Sequence, residues 1–188
     1  MIPRRVPGLS LVGYRGTGKT TVGRLLAERL GRTFIDSDEA LEGRSGRSSA
    51  SIFETQGEPA FRDLEEAMIA ELTGIEGLVL ATGGGAILRE SNRSSLRNHG
   101  LVAWLTASPD DIAGRLVADP RGLASRPALT PGRSVLDEIN TVLEARETHY
   151  RSVADFVVVT SGRTPAEVAD EVARRWTELQ PAWDGGRS

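Results

Sequence analysis

The sequence predicts an α/β fold, a parallel sheet with helices on both faces. Three observations predict it. Short apolar, β-branched runs alternate with stretches whose apolar residues recur at helical spacing, the pattern of strands buried on both faces. The first apolar run passes through a glycine-rich turn directly into such a helix. The length of 188 residues, with 39% hydrophobic and 26% charged side chains, suits one domain that buries a core of its own. The whole chain is therefore expected to be one domain, with its core over about 9–176.

Residues 9–12 form an apolar run stopped by Gly13 and read as a buried strand. Residues 19–30 carry Val22, Leu25, Leu26 and Leu30 at helical spacing, with Gly31 where a C-cap belongs. A second short strand is expected at 33–35. Residues 60–72 read as a helix with Leu64, Met68 and Leu72 on one face and acids at Glu65, Glu66 and Glu71. A third strand at 78–81 stops at Gly83, Gly84 and Gly85, and a fourth occupies 101–105. Residues 109–117 form a helix with Ser108 as N-cap and Pro109 in first position. A long helix at 135–150, a fifth strand at 156–159 and a closing helix at 165–176 complete the pattern. Phe53, Met68, Trp104 and Trp176 read as packing residues, His99 as a loop residue and His149 as a helix-surface residue.

One stretch breaks the alternation. Residues 119–134 hold Pro120, Gly122, Pro127, Pro131 and Gly132, with Arg121, Arg126 and Arg133 among them. That density of proline and glycine prevents a regular element, and a long loop in a compact domain is usually functional or disordered. Residues 181–188 read as a frayed tail.

Composition excludes several chemistries. Lys plus Arg is 23 and Asp plus Glu is 26, a formal charge of −3, so no wholesale nucleic-acid or membrane-surface binder is expected. The absence of cysteine removes disulfides, thiol nucleophiles, iron–sulfur clusters and cysteine zinc sites together. Two histidines, His99 and His149, are too few for most histidine-built metal sites. The apolar run behind Arg4 and Arg5 is too short for a signal-peptide core or a membrane span, so a cytoplasmic protein is expected.

Gly13-Tyr14-Arg15-Gly16-Thr17-Gly18-Lys19-Thr20 matches G-x-x-x-x-G-K-[ST], with the strand before it and the helix after it that the motif requires. Gly13, Gly16 and Gly18 let the backbone wrap inward, so that N–H groups point at phosphate oxygens, and the helix N-terminus adds attraction for an anion. Lys19 would reach the β- and γ-phosphates, and the Thr20 hydroxyl can ligate Mg²⁺. A nucleoside triphosphate site follows; the acceptor does not.

Neither the third nor the fourth strand ends in an acid, but the second runs into Asp36-Ser37-Asp38. Residues two apart on extended chain point the same way, so both carboxylates are expected to face the cleft at the sheet's C-terminal edge. One would serve the metal and the other would accept a proton from an attacking hydroxyl. The competing reading is a solvated turn in which Asp36 or Ser37 caps a helix over 39–43.

These residues, in order, resemble the shikimate kinase family from about residue 9 to 176. The matching pieces are Gly-x-x-Gly-x-Gly-Lys-Thr-Thr-x-Gly-Arg at 13–24, Phe-Ile-Asp-Ser-Asp at 34–38 and Ile-Phe-Glu-x-x-Gly-Glu-x-x-Phe-Arg at 52–62. Ala-Thr-Gly-Gly-Gly at 81–85, Arg126-Pro127-x-Leu129 and Ala145-Arg146-x-x-x-Tyr150-x-x-Val153-Ala154 follow. The resemblance implies a P-loop kinase fold, three layers α/β/α, with a five-stranded parallel sheet in the order 2-3-1-4-5. It implies transfer of the γ-phosphoryl of ATP to the 3-hydroxyl of shikimate, with Mg²⁺. It also implies that shikimate and ATP are the partners, with no nucleic acid, no membrane and a monomeric enzyme.

Site residues follow from the same resemblance. Lys19, Asp38 and Arg126 are the expected catalytic groups, with Asp38 as base and Arg126 in a lid over 119–134 that closes on ATP. ATP contacts are expected at Gly16, Thr17, Gly18, Lys19, Thr20 and Thr21, at Arg126, and near the adenine at Arg115 and Arg163. Asp38, Arg62, Gly83, Gly84, Gly85 and Arg146 would bind the acceptor, the two arginines gripping its carboxylate by a fork that lysine lacks. Thr20 and Asp36 would hold the metal. Taken singly, Arg62 and Arg146 also read as solvated helix residues beside glutamates, and the three glycines as a strand terminator. A gluconate or nucleoside monophosphate kinase, or a nucleotide-binding module without catalysis, stands as the rival.

Overall fold

Every residue of β1 (Gly8–Val12) is buried, because a strand at the centre of a sheet meets neighbours on both edges and both faces. The computed structural model describes residues 6–119 and 134–183. Within them β1, β2 (Phe34–Asp36), β3 (Val79–Ala81), β4 (Gly100–Thr106) and β5 (Phe156–Val159) pair in parallel in the order β2-β3-β1-β4-β5, as the resemblance implied. Leu11 of β1 lies opposite Ala81 of β3 and Ala103 of β4. Asp36 of β2 lies opposite Ala81. The C-terminal ends of β2, β3 and β1 thus sit side by side, and the loops leaving them share one cleft.

Consecutive strand residues point to opposite faces, and each face has its own core. On one face Leu9, Leu11, Leu101, Ala103 and Leu105 pack with Val22 and Leu26 of α1 (Lys19–Leu30) and Val168, Val172 and Trp176 of α7 (Pro165–Leu179). On the other, Val12, Leu80, Val102 and Trp104 meet three helices, α3 (Ser49–Leu72), α4 (Glu90–His99) and α6 (Val135–Val153). Their contributions are Phe61, Met68 and Ile69, then Leu96, then Tyr150 and Val153. Tyr14, Ile112, Leu116 and Ile139 form a smaller cluster where α5 (Pro109–Ala118) lies on α6. Each fully buried Leu, Ile or Phe contributes about 1.5–3 kcal/mol.

Several expectations change. Asp36 opens α2 (Ser37–Ser45), an element that appeared in the sequence only as an alternative. The helix expected from 60 begins at Ser49; Gly57 (φ 83°, ψ 168°) and Pro59 divide it, and its left-handed φ is why the motif has glycine there. Leu64 faces solvent at 41% exposure, while Glu65 is buried beside Phe61, Met68, Ile69 and Leu72. The carboxylate, not the leucine, lies on the inner face.

Helix α4 was not expected, because Leu96 is its only apolar residue. It docks through polar groups instead. Buried Asn92 donates to Ala86 O (2.9 Å), and the buried His99 ring lies 3.1 Å from both Thr73 O and Leu78 O. His99 is therefore a helix-terminal core residue and not a loop residue. The tail expected from 181 is ordered at its start, where Gln180–Ala182 form a 3₁₀ turn. Trp183 beyond it packs against the α1–α7 core, its large ring outweighing the turn formers around it. The loop expected over 119–134 lies, apart from its two end residues, outside the described residues.

Candidate active site

β1 leads into the phosphate loop. Gly13, Gly16 and Gly18 have φ of 147°, 78° and 89°, conformations that strain any L side chain. A Cβ on Gly13 would also lie 2.2 Å from Leu105 O. Lys19, the first residue of α1, is buried and donates from Nζ to Gly13 O and Tyr14 O, both at 2.8 Å. Its ammonium thus crosses the loop at the positive end of α1, a placement suited to phosphate. Thr17 Oγ1 donates to Tyr14 O at 2.7 Å and closes the turn from inside. Thr21 is exposed on the first turn of α1.

The two arginines expected near adenine differ. Arg115 of α5 donates to Gly16 O (3.1 Å) and to Thr160 Oγ1 and O (2.9 Å each), so it borders the phosphate loop. Arg163 pairs with Glu171 at 2.5 Å and donates to Val159 O and Glu167 O. Its guanidinium closes the join between β5 and α7.

Asp36 makes the helix cap of the competing reading, and it also faces the phosphate loop. Its Oδ1 caps α2 by accepting from Asp38 N (2.9 Å) and Glu39 N (3.4 Å), while its Oδ2 accepts from Thr20 Oγ1 at 2.6 Å. Two hard oxygen donors at the mouth of a phosphate loop fit Mg²⁺, which takes one or two protein oxygens and completes its octahedron with phosphate and water. The expected geometry of Asp38 is corrected. The chain is helical from Ser37, so Asp38 reaches the cleft from the first turn of α2 and not by strand alternation.

Gly83, Gly84 and Gly85, which follow β3, bring the remaining groups together. A Cβ on Gly83 would fall 2.6 Å from Asp38 Oδ1 and 2.8 Å from Glu65 Oε1. One on Gly85 would fall 2.4 Å from Arg62 Nη2, and one on Gly84 would fall 3.3 Å from Arg15 N in the phosphate loop. Arg146 Nη1 donates to Gly84 O at 3.1 Å. Asp38, Arg62 and Arg146, distant in sequence, therefore meet around one turn beside the phosphate loop. Gly83 acts as a gap more than as a donor, since its N–H already goes to Ser37 Oγ (3.2 Å).

Arg62 is not a surface residue. It is 8% exposed and pairs with buried Glu65 at 2.6 Å and with Glu58 at 3.1 Å. Burial opposes the charge, but the two carboxylates more than offset it and hold the guanidinium above its ordinary pKa. The sequence shows Glu65 only as one of the acids on its helix; its i, i+3 spacing from Arg62 is the signal that pairs the two. Two further residues carry no role in the sequence reading: Tyr150, and Glu138 of α6, which accepts from Arg15 at 3.3 Å and ties the phosphate loop to that helix. Arg126 lies outside the described residues. Among the described residues no group of three or more His, Asp or Glu could hold a metal, and no helix is long and apolar enough to cross a membrane.

A parallel sheet with a phosphate loop after its central strand, and carboxylate and guanidinium groups facing that loop, defines a P-loop phosphotransferase of small acceptors. Known proteins narrow the class. The family model described as shikimate kinase matches residues 15–177, and the chain belongs to that family of ATP-dependent kinases. Shikimate kinase of Pseudomonas putida strain F1 is 45% identical over 173 residues, covering 92% of this chain and 98% of the relative. That of Pseudomonas syringae pv. syringae B728a is 47% identical over 176 residues, again 92% and 98%. Among solved structures, shikimate kinase from Acinetobacter baumannii in complex with shikimate superposes with a TM-score of 0.86 at 36% identity, over 93% of this chain and 95% of that one.

Proposed function

We propose that this chain transfers the γ-phosphoryl group of ATP to the 3-hydroxyl of shikimate, as a monomer and with Mg²⁺. The observation that carries the reading is the meeting of Asp38, Arg62 and Arg146 at the glycine turn, next to the Lys19 cradle. A small ring bearing one carboxylate and several hydroxyls matches two guanidinium groups and one acid. All of these groups come from one chain, so one subunit supplies the site.

In the mechanism, Arg62 and Arg146 grip the acceptor carboxylate, and the Glu65 pair keeps Arg62 from swinging away. Asp38 orients the 3-hydroxyl and takes its proton as the oxygen attacks Pγ. The bond from Pγ to the β–γ bridging oxygen breaks, and ADP leaves with that electron pair. Lys19 and the loop N–H groups hold the phosphates in line. Thr20 and Asp36 would hold Mg²⁺, which when bound neutralises charge on the β- and γ-phosphates. Arg115 flanks the nucleotide, Arg163 lies further along it, and Arg126 neutralises charge on the transferring phosphoryl. Catalysis is then positioning and charge stabilisation.

ADP release coupled to a reporter, with shikimate, gluconate and a nucleoside monophosphate offered separately, tests the reading. Turnover is expected with shikimate alone. Phosphorylation of gluconate or the nucleotide, with shikimate ignored, would overturn it.

A further inference from the structure

Tyr150 belongs to the motif that supplies Arg146, yet the mechanism above leaves it without a task. It is 1% exposed, and its phenol donates to Gly84 O at 2.7 Å. Its ring stacks on Trp104 with centroids 5.3 Å apart and planes at 12°. Arg146, one helical turn earlier on α6, donates to the same carbonyl at 3.1 Å. Two donors on one helix face therefore share a single acceptor on the glycine turn.

The peptide geometry gives this arrangement a consequence. The described peptides are trans, so the C=O of Gly84 and the N–H of Gly85 point in opposite directions. A carbonyl held against α6 fixes the N–H of the next residue pointing away from α6. A flexible guanidinium alone could release that carbonyl when it engages a carboxylate. A phenol clamped on an indole cannot follow it.

We propose that Tyr150 is a positioning residue for the acceptor: its O–H holds the Gly84 carbonyl against α6, aims the Gly85 N–H into the cleft, and leaves the other donors of Arg146 directed at the acceptor carboxylate. The assignment rests on the shikimate reading above. Burial pushes the phenol up to about 12, with Arg146 pulling the other way and Tyr14 and Glu65 adding to the rise. Tyr150 therefore remains an O–H donor at every pH at which the enzyme would work.

Tyr150→Phe keeps the ring and its stack and removes only the hydroxyl. Steady-state kinetics on the full chain should show the KM for shikimate rising about three- to tenfold, the worth of one buried hydrogen bond, with the KM for ATP within about twofold. Arg146→Lys and Tyr150→Phe combined should cost less than the product of the single effects, because both act on one carbonyl. Equal changes in both KM values, or an unmoved shikimate KM, would overturn the assignment. A measurement on the unaltered enzyme stands beside the variant in case it folds poorly. The buried hydroxyl proton of Tyr150, followed by NMR, should shift on saturation with shikimate and not with ADP alone; no shift with shikimate would overturn it as well. An unaltered enzyme that ignores shikimate overturns both the function and the tyrosine assignment, whereas normal turnover with an unmoved variant removes the tyrosine alone.

Discussion

The two sides of the cleft are built by opposite means. The phosphate side is one unbroken stretch, residues 13–20, shaped by backbone dihedrals and crossed by a single lysine. The proposed acceptor side draws on α2, α3, the turn after β3 and α6, with residues from 38 to 146, and is held by side-chain contacts. The first is framed by a strand, a turn and a helix consecutive in sequence, to which Asp36, Arg115 and Glu138 bond from elsewhere. The second exists only when α2, α3 and α6 have packed on one face of the assembled sheet. Local precision comes from glycine φ values; distributed precision comes from buried charge pairs such as Arg62–Glu65.

The largest expected effect lies on the phosphate side. Lys19→Ala should lower kcat at least about 100-fold, since one charge stabilises the transferring group, while the shikimate KM stays within about threefold. A near-normal kcat in steady-state assays would break the comparison, because the cradle would then not depend on its one lysine.

A smaller and more selective effect is expected across the cleft. Gly85→Ala puts a Cβ 2.4 Å from Arg62 Nη2, and that guanidinium is pinned by Glu65 and Glu58. The shikimate KM should rise about tenfold, equivalent to 1.4 kcal/mol, with the ATP KM within about twofold. Parallel rises in both would mean that the two sides share one support.

The smallest effect sharpens the contrast by touching neither side. Thr164 and Glu167 form a capping box at the start of α7. Thr164→Ala should cost about 1 kcal/mol, read as a Tm lower by about 2–4 °C, with no change in either KM.

The same division explains what the sequence disclosed. The phosphate loop was legible because its chemistry is contiguous, and the five strands were legible because burial on both faces leaves apolar runs. Arg62 and Arg146 were identifiable only as members of an ordered family pattern, since each alone passes for a solvated residue, whereas Asp38 also stood out by its Asp-x-Asp spacing after the second strand. Glu65 and α4 were missed for one shared reason. Both are buried through polar partners, Arg62 for the first and the carbonyls of Ala86, Thr73 and Leu78 for the second, and apolar periodicity is blind to polar burial. Asp36 resisted a single reading because each carboxylate oxygen does a different job.

Two close approaches crowd the seam between β1 and β4, one through the imidazole at the end of α4 and one through backbone. A methyl group on Gly8 would sit 1.9 Å from His99 Nε2, and one on Gly100 would sit 2.0 Å from Gly8 O. Alanine at position 8 is therefore reachable only after residue 99 has shrunk, and the two carbonyls that the ring touches would then need water in its place. Positions 8 and 99 must therefore change together, whereas at position 100 the obstacle is the backbone of β1, which no companion substitution removes.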